Sequence, residues 1–412
     1  MNNNNITRMK DLSLEGLTEL FADMGEKPFR ARQVFKWLMN GAASWDEMTD
    51  ISKALRARLA GLSGDGYTDA ADAADGADTF GPHTISGDID TLRICDIALS
   101  EIDGTRKYLF ETSDGLFIEA VLMEYYYGWS ICISSQAGCL MGCKFCASGR
   151  HGLQRSLTAG EIADQYIIVE RDVRRGFDAY GRELGANGRV RKAKHIGDDG
   201  KSRIGHIVVM GVGEPFDNYD NVMAFLKNIT DPNGRNIGRR QITVSTCGLL
   251  PEMKRFMRDL PQANLSLSLH APNDEVRRAL MPVGGKYGVD ELIAFARDYS
   301  RETGRRFSFE YALFRGVNDG KIYAEELAGK LAGQGFHVNL IPANPVAGLG
   351  FEPPSPDAVA LFAETLIAKG IRTTTRRELG SDIAAACGQL RSKRMAEQAQ
   401  ELRLRADMLP KQ

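Results

Sequence analysis

The 412-residue sequence contains no run of about 18 apolar residues, so no membrane-spanning helix is expected. Residues 1–10 lack an apolar core segment, and we expect no signal peptide. Basic and acidic side chains nearly balance, at 52 against 54, so any nucleic-acid-binding surface must be local. Seven cysteines, an odd number, do not indicate a disulfide framework. This cysteine usage is typical of the reducing cytoplasm, where we expect the protein to function.

Three cysteines follow one another closely, Cys139, Cys143 and Cys146, in the spacing C-x3-C-x2-C. Three thiolates can bind three irons of a [4Fe–4S] cluster and leave the fourth iron open to a small molecule, whereas a structural cluster uses four cysteines. A structural zinc site is the alternative, and it needs a fourth Cys or His, for which His151 is the nearby candidate. The spacing resembles the signature of the radical S-adenosylmethionine (SAM) enzymes, in which SAM occupies the open iron.

Short apolar strands alternate with helix-length segments over residues 129–376, which we interpret as the core domain. Six strand–helix repeats predict an α/β fold, a partial and open (β/α)6 barrel of the radical SAM type, because a complete barrel needs eight. The strands are predicted at 129–134, 206–210, 241–245, 264–269, 307–313 and 337–342. The helices are predicted at 159–171, 219–226, 251–260, 290–301, 324–331 and 357–369.

Four further segments surround or interrupt this core. They are a small N-terminal helical accessory domain (1–61), a flexible acidic insert (62–90), a short β-hairpin extension (91–128) and a C-terminal loop with a basic tail (377–412). A Gly- and Arg-rich insertion at 172–205 interrupts the repeat. The accessory domain, this insertion and the tail carry clustered basic side chains, for which RNA contact and a solvated surface are both open interpretations.

Polar residues follow the ends of the predicted core strands. In parallel sheets the carboxyl ends of the strands meet at one edge, which is where barrel enzymes place their chemistry. We therefore predict that these residues form a ring around a bound ligand, with a carboxylate suited to the amino group of SAM. The ring consists of Gly213, Glu214, Ser245, Ser268, Leu269, His270 and Asn344.

Four motifs taken together resemble the RlmN family over residues 12 to about 395. They are Gly-x-Gly-Glu-Pro at 211, Ser-Leu-His-Ala at 268, Asn-Leu-Ile-Pro-x-Asn at 339 and Ala-Cys-Gly-Gln-Leu at 386. That family comprises radical SAM methyltransferases that methylate carbon 2 of an adenosine in 23S ribosomal RNA and of adenosine 37 in some transfer RNAs. The two inserts depart from the family pattern and leave the mode of substrate docking open.

The resemblance implies roles for three residues outside the cluster motif. Cys387 takes a methyl group from one SAM molecule, and a second SAM at the cluster supplies the radical that activates that methyl group. The methylene group then adds to carbon 2 and links RNA to the protein. Glu119, in an otherwise apolar strand, matches the family's proton acceptor, although Cys132 is an alternative. Cys132 attacks the sulfur of Cys387 and leaves a disulfide.

The remaining cysteines, Cys95 and Cys247, are interpreted as ordinary buried residues. The resemblance implies 23S rRNA and tRNA as partners, with an electron donor such as flavodoxin or ferredoxin, and we expect a monomer. One alternative is a Cfr-type enzyme, which methylates carbon 8 of the same adenosine; the Glu214-Pro215 pair favours RlmN. Another is an RNA-binding protein with a metal knot, which would need neither Cys132 nor Cys387.

Overall fold

The computed structural model describes residues 6–62, 84–150, 152–175, 182–184, 190–192, 204–344 and 349–383, with only the backbone described at 6, 84, 182–184 and 190–192. Within these ranges the strands are β1 (Ile6–Arg8), β2 (Thr84–Ser86), β3 (Leu92–Leu99), β4 (Arg106–Thr112), β5 (Phe117–Tyr125), β6 (Gly128–Ile133), β7 (Gln136–Gly138), β8 (Leu153–Ser156), β9 (Arg182–Leu184), β10 (Val190–Lys192), β11 (Ile204–Val209), β12 (Ile242–Thr246), β13 (Asn264–Ser268), β14 (Ser308–Leu313), β15 (His337–Pro342) and β16 (Arg372–Thr375). The α-helices in the same ranges are α1 (Leu14–Asp23), α2 (Pro28–Met39), α3 (Lys53–Ala60), α4 (Ala159–Arg175), α5 (Tyr219–Thr230), α6 (Leu250–Asp259), α7 (Asp274–Leu280), α8 (Val289–Thr303), α9 (Lys321–Leu331) and α10 (Pro356–Ala368).

One sheet organises the core of the described chain. It has ten strands in the order β16-β15-β14-β13-β12-β11-β6-β5-β4-β3. The strands from β6 through β11 to β16 are parallel, and β3 to β6 are antiparallel to one another. Helices α4 to α10 connect the parallel strands. All of them except α7 pack apolar faces on the sheet in one large hydrophobic cluster, and Leu280 of α7 belongs to a smaller one. The prediction of a partial α/β barrel is therefore confirmed.

The strand β16 extends the barrel beyond the six strands predicted from the sequence. Its residues are Arg372 and three threonines, and their side chains are largely exposed. The strand therefore lacks the apolar pattern that identifies a buried strand, and pairing with β15 defines it instead. The hairpin predicted before the core is a three-strand antiparallel unit, β3 to β5, that continues the same sheet.

The N-terminal helices α1 to α3 enclose a separate hydrophobic core. This module contacts the barrel through α4. The backbone N–H of Gly160, at the start of α4, donates to Oδ1 of Asp11 (2.7 Å), and the buried Lys10 ammonium pairs with the buried carboxylate of Asp164. Thr91 also donates to Asp164, from its backbone N–H (2.6 Å) and its hydroxyl (2.7 Å). The helical module is thus joined to the core by a buried ion pair.

Parts of both inserts are described. Residues 63–83 of the acidic insert lie outside the described ranges, but β2 pairs in parallel with β1, and Asp90 forms ion pairs with Arg171 and Lys10. The prediction of a flexible segment is therefore wrong for residues 84–90. In the basic insertion, β9 and β10 form an antiparallel hairpin. No helix within the described ranges combines the length and apolarity needed to cross a bilayer.

Candidate active site

A cavity of about 430 Å³ opens at the carboxyl ends of the parallel strands. All three motif cysteines line it, together with six of the seven residues that the sequence placed in a SAM-binding ring. Those six are Gly213, Glu214, Ser245, Ser268, His270 and Asn344. The seventh, Leu269, is fully buried beside the cavity, and its backbone N–H donates to the Glu310 carbonyl (3.0 Å). The fold therefore brings the predicted cluster and ring residues together.

The cysteine loop is held at the rim of the barrel by its ends and by an aromatic contact. The antiparallel pair β7 and β8 closes the loop, and the Cys139 backbone N–H donates to the Gly152 carbonyl (3.1 Å). Gly138 has a φ of +93°, and a Cβ there would lie 1.9 Å from the Gly152 oxygen, so only glycine fits. Within the loop, the ring of Phe145 meets His270 edge-on at 5.0 Å. These contacts orient the thiols toward the cavity before any cofactor binds.

The donor set fits an iron–sulfur cluster better than a single zinc ion. In the described part of the chain, no three His, Cys, Asp or Glu side chains are grouped closely enough to hold one metal ion. A cluster has no such requirement, since each cysteine binds a different iron. Burial raises the pKa of Cys139 and Cys143 to about 12, so cations are needed to keep both as thiolates. His151, the alternative zinc ligand, lies outside the described residues.

Glu214 is fixed by backbone donors from two strand ends. Its Oε1 accepts from the Phe216 N–H (3.1 Å) and its Oε2 from the Cys247 N–H (2.8 Å). Burial nevertheless raises the pKa of Glu214, so an ammonium group in the cavity would stabilise its ionised form. The turn is set by Gln136, whose Oε1 accepts from the Glu214 N–H (2.9 Å), and by Gly213, with a φ of +110°.

His270 presents a defined tautomer at the cavity. Its Nδ1 accepts from the Ala312 backbone N–H (2.9 Å), which places the ring proton on Nε2. Burial, and then the nearby Arg277 cation, lowers the pKa of His270 to about 3, so the ring is neutral at neutral pH. The residue also has a φ of +55°, a conformation that is uncommon outside glycine and concentrated at functional sites. The arrangement provides a neutral hydrogen-bond donor.

Arg277, which the sequence analysis did not single out, fixes the backbone of the same rim. Its guanidinium is buried and donates to the carbonyls of Cys247 (2.5 Å), Leu269 (2.6 Å) and Ser268 (2.9 Å). Burial lowers the pKa of Arg277. The cysteine predicted to be an ordinary buried residue, Cys247, is indeed buried, but it also lines the cavity.

Glu310 is a second cavity residue that sequence reasoning missed. Its carboxylate accepts from the Ser266 hydroxyl (2.7 Å) and the Asn339 side-chain amide (2.7 Å). Burial raises the pKa of Glu310. A carboxylate inside the apolar strand β14 was a signal that could have identified it. Further cavity-lining residues come from the segment after β16, namely Arg376, Arg377, Glu378 and Leu379.

Cys132 and Glu119 lie on one face of the sheet near the carboxyl end of β6. Cys132 is opposite Val121 in the pairing of β6 with β5, and both belong to a small apolar cluster. Met210 and Leu379, which line the cavity, pack against that cluster. Glu119 shares this face of β5, two residues before Val121. Both predicted residues are therefore next to the cavity rather than at its wall.

The Glu119 carboxylate is buried with a lysine. Lys107 on β4 places its Nζ 3.2 Å from Oε2 of Glu119, and both side chains are almost completely excluded from solvent. The Ser134 hydroxyl donates to the Glu119 carbonyl (2.6 Å), which connects this strand to the end of β6. The Lys107 ammonium therefore neutralises the charge of this buried carboxylate within the sheet.

The segment preceding Cys387 is anchored across the open side of the barrel. The Gly380 N–H donates to Asp103 (2.8 Å), and the carboxylate of Asp382 accepts from the hydroxyl of Ser100 (2.7 Å). Cys387 itself lies outside the described residues. Cys95, predicted to be buried, is exposed on the edge strand β3 next to a bulge.

Comparisons with known proteins show similarity over nearly the whole chain. Residues 7–63 match the family model of the ribosomal RNA large subunit methyltransferase N-terminal domain, and residues 133–325 match that of the radical SAM superfamily. A protein of Alkaliphilus oremlandii named "Probable dual-specificity RNA methyltransferase RlmN" is 44% identical over 384 residues, 93% of this chain and 97% of its own length. A protein of Pelotomaculum thermopropionicum with the same name is 44% identical over 387 residues, 93% of this chain and 91% of its own length.

A solved structure shows the same architecture. The crystal structure of a radical SAM methyltransferase from Sphaerobacter thermophilus is 39% identical and superimposes with a TM-score of 0.77. The superposition covers 93% of this chain and 98% of that one. Both the N-terminal helical module and the barrel are therefore shared with known relatives. On this sequence similarity, which extends over nearly the whole length, the chain belongs to the RlmN family of radical SAM enzymes.

Proposed function

We propose that this protein methylates carbon 2 of an adenosine in 23S ribosomal RNA and of adenosine 37 in some transfer RNAs. The observation that carries the proposal is the apolar cluster around Cys132, because Met210 and Leu379 pack against it and also line the cavity of the three cluster cysteines. Glu119 lies on the same face of β5 as Val121, the residue opposite Cys132. The relatives named as dual-specificity RNA methyltransferases support RNA as the substrate class. The Glu214-Pro215 pair favours carbon 2 over carbon 8.

The chain's own residues have distinct roles in this proposal. Cys139, Cys143 and Cys146 bind a [4Fe–4S] cluster, and the ring residues bind SAM, with Glu214 facing its amino group. When bound, the cluster and SAM supply the one-electron chemistry that protein side chains lack. The apolar cluster around Cys132 excludes water from that chemistry.

Three residues act on the substrate itself. Cys387 carries the methyl group, and Leu379, eight residues before it, lines the cavity. Glu119 accepts the proton from carbon 2 at its carboxylate, which lies 3.2 Å from the Lys107 ammonium. Cys132 releases the RNA from Cys387 by attacking its sulfur. An external one-electron donor such as flavodoxin or ferredoxin completes the reaction.

The test is mass spectrometry of nucleosides from ribosomal and transfer RNA of cells that lack the gene and express variants of it. The wild type should restore 2-methyladenosine in both RNAs, and Cys387→Ala should not. Cys132→Ala should accumulate a covalent protein–RNA adduct. Cys95→Ala is the matched control, because its thiol is exposed away from the cavity, and it should behave as wild type. Appearance of 8-methyladenosine, or full activity of Cys387→Ala, would contradict the proposal.

A further inference from the structure

Three consecutive tyrosines form an exposed aromatic group at the turn between β5 and β6. Tyr125 and Tyr127 stack with ring centroids 5.1 Å apart and planes 5° apart, and Tyr126 meets Tyr127 edge-on at 5.1 Å. Tyr127 also contacts the His206 ring edge-on at 4.9 Å. The side chain of Tyr126 is 89% exposed and that of Tyr127 is 47% exposed. The group therefore presents ring faces to solvent on a rigid support.

This aromatic group lies on the face that carries the proposed chemistry, at the amino end of β6, whereas the cavity opens at the carboxyl ends of the parallel strands. Alternate residues of β5 share a face, so Glu119, Val121, Met123 and Tyr125 follow one another along it. The Tyr125 hydroxyl contacts the Met123 sulfur at 3.6 Å. Val121 on β5 is opposite Cys132 on β6. Tyr125 follows Val121 by four residues, so it lies ~13 Å along β5 from the level of the Cys132 thiol.

We propose that Tyr126 and Tyr127 stack against an unpaired base of the RNA, a few nucleotides from the reacting adenosine. The proposal rests on the proposed function, because it needs an RNA substrate at the cavity. A distance of ~13 Å corresponds to about four stacked nucleotides at ~3.4 Å each, and to fewer in an extended strand. Proteins that bind single-stranded RNA use exposed aromatic rings in this way.

Local charge also suits a phosphate backbone. Burial, and then the two neighbouring tyrosines, raises the pKa of Tyr127 to about 12, so its hydroxyl is neutral at neutral pH and does not repel phosphate. Burial raises the pKa of Tyr125, and the nearby Arg376 cation opposes part of that rise. A neutral aromatic surface beside a cation combines a stacking platform for a base with attraction for the phosphate backbone.

The test is an abasic scan of a short RNA hairpin whose loop contains the target adenosine. Each of the four positions on either side of that adenosine is replaced in turn by an abasic nucleotide. Binding to the full-length, anaerobically reconstituted enzyme is measured by fluorescence anisotropy without turnover. With wild type, one flanking abasic position should weaken binding by about 5- to 100-fold, the usual effect of losing one stacked base.

The variant Tyr126→Ala/Tyr127→Ala should bind the intact hairpin equally weakly and should no longer respond to that abasic position. Tyr126→Phe/Tyr127→Phe is the matched control, and it should keep wild-type affinity because the rings remain. Unchanged affinity of the alanine variant overturns the proposal. So does loss of self-association with unchanged RNA affinity, which would assign the tyrosines to a contact between copies of the chain. Because binding is measured without methylation, failure of the carbon 2 assignment would leave this result intact.

Discussion

Arg277→Met tests whether one buried guanidinium holds the ligand-binding rim together. The side chain is 1% exposed, and it donates to the carbonyls of Cys247, Ser268 and Leu269. These carbonyls belong to the ends of β12 and β13, two neighbouring strands. Methionine keeps much of the aliphatic volume but donates no hydrogen bond, so the change removes the polar contacts with little loss of packing.

The structure sets the size of the effect. Leaving a buried carbonyl without a donor costs about 1 kcal/mol or more, so three carbonyls predict a loss of at least ~3 kcal/mol of unfolding free energy. The rim should also lose its preorganised geometry. We expect Arg277→Met to bind SAM at least tenfold more weakly, which corresponds to a loss of ~1.4 kcal/mol in binding free energy.

Urea unfolding followed by far-UV circular dichroism measures the first effect, and equilibrium dialysis with labelled SAM measures the second. Arg278→Met is the matched control, since Arg278 is the next residue on α7 and is exposed. Because the chain has two hydrophobic cores, the midpoint of the core transition is compared rather than a single free energy. If Arg277→Met changes neither the midpoint nor the SAM affinity relative to Arg278→Met, the Arg277 guanidinium does not hold the rim together.

Three further perturbations follow from the structure. Lys10→Met should lower the free energy of unfolding by about 3–5 kcal/mol, because it leaves the Asp164 carboxylate buried without its cation. Burial raises the pKa of Asp164, so this loss should grow as pH rises through that pKa and shrink on acidification. Unfolding midpoints at several pH values will measure the effect. Glu119→Gln should slow turnover by about 100-fold or more in single-turnover assays and leave SAM affinity unchanged. Lys107→Met should also slow turnover, because Lys107 is the ion-pair partner of Glu119. Gly213→Ala should lower SAM affinity at least ~10-fold in equilibrium dialysis, because a Cβ there would lie 2.7 Å from a neighbouring side chain at a φ of +110°.

Each of these has a matched control or a contradicting outcome. A pH-independent loss in Lys10→Met would show that Asp164 is not the group left uncompensated. Equal turnover of Glu119→Gln and wild type would remove that residue from proton transfer. Gly205→Ala is the control for Gly213→Ala, since a Cβ at Gly205 meets no atom within 4 Å.

Features that depend on the local order of residues could be predicted from the sequence. The C-x3-C-x2-C spacing indicated the cluster, and apolar segments alternating with helical ones predicted the barrel. Polar residues at strand ends predicted the ligand ring, because parallel strands bring their carboxyl ends to one edge whatever the details of packing. Six of the seven predicted ring residues accordingly line the cavity.

Contacts between residues distant in sequence could not be predicted and became visible in the folded chain. The polar strand β16 is defined by its pairing with β15 rather than by its own pattern. The Lys107–Glu119 pair depends on the register of β4 against β5, and the reach of Arg277 to two strand ends depends on how α7 packs. The exposure of Cys95 follows from a bulge in an edge strand. Such contacts are set by strand pairing and packing across the whole chain, which no local pattern of residues encodes.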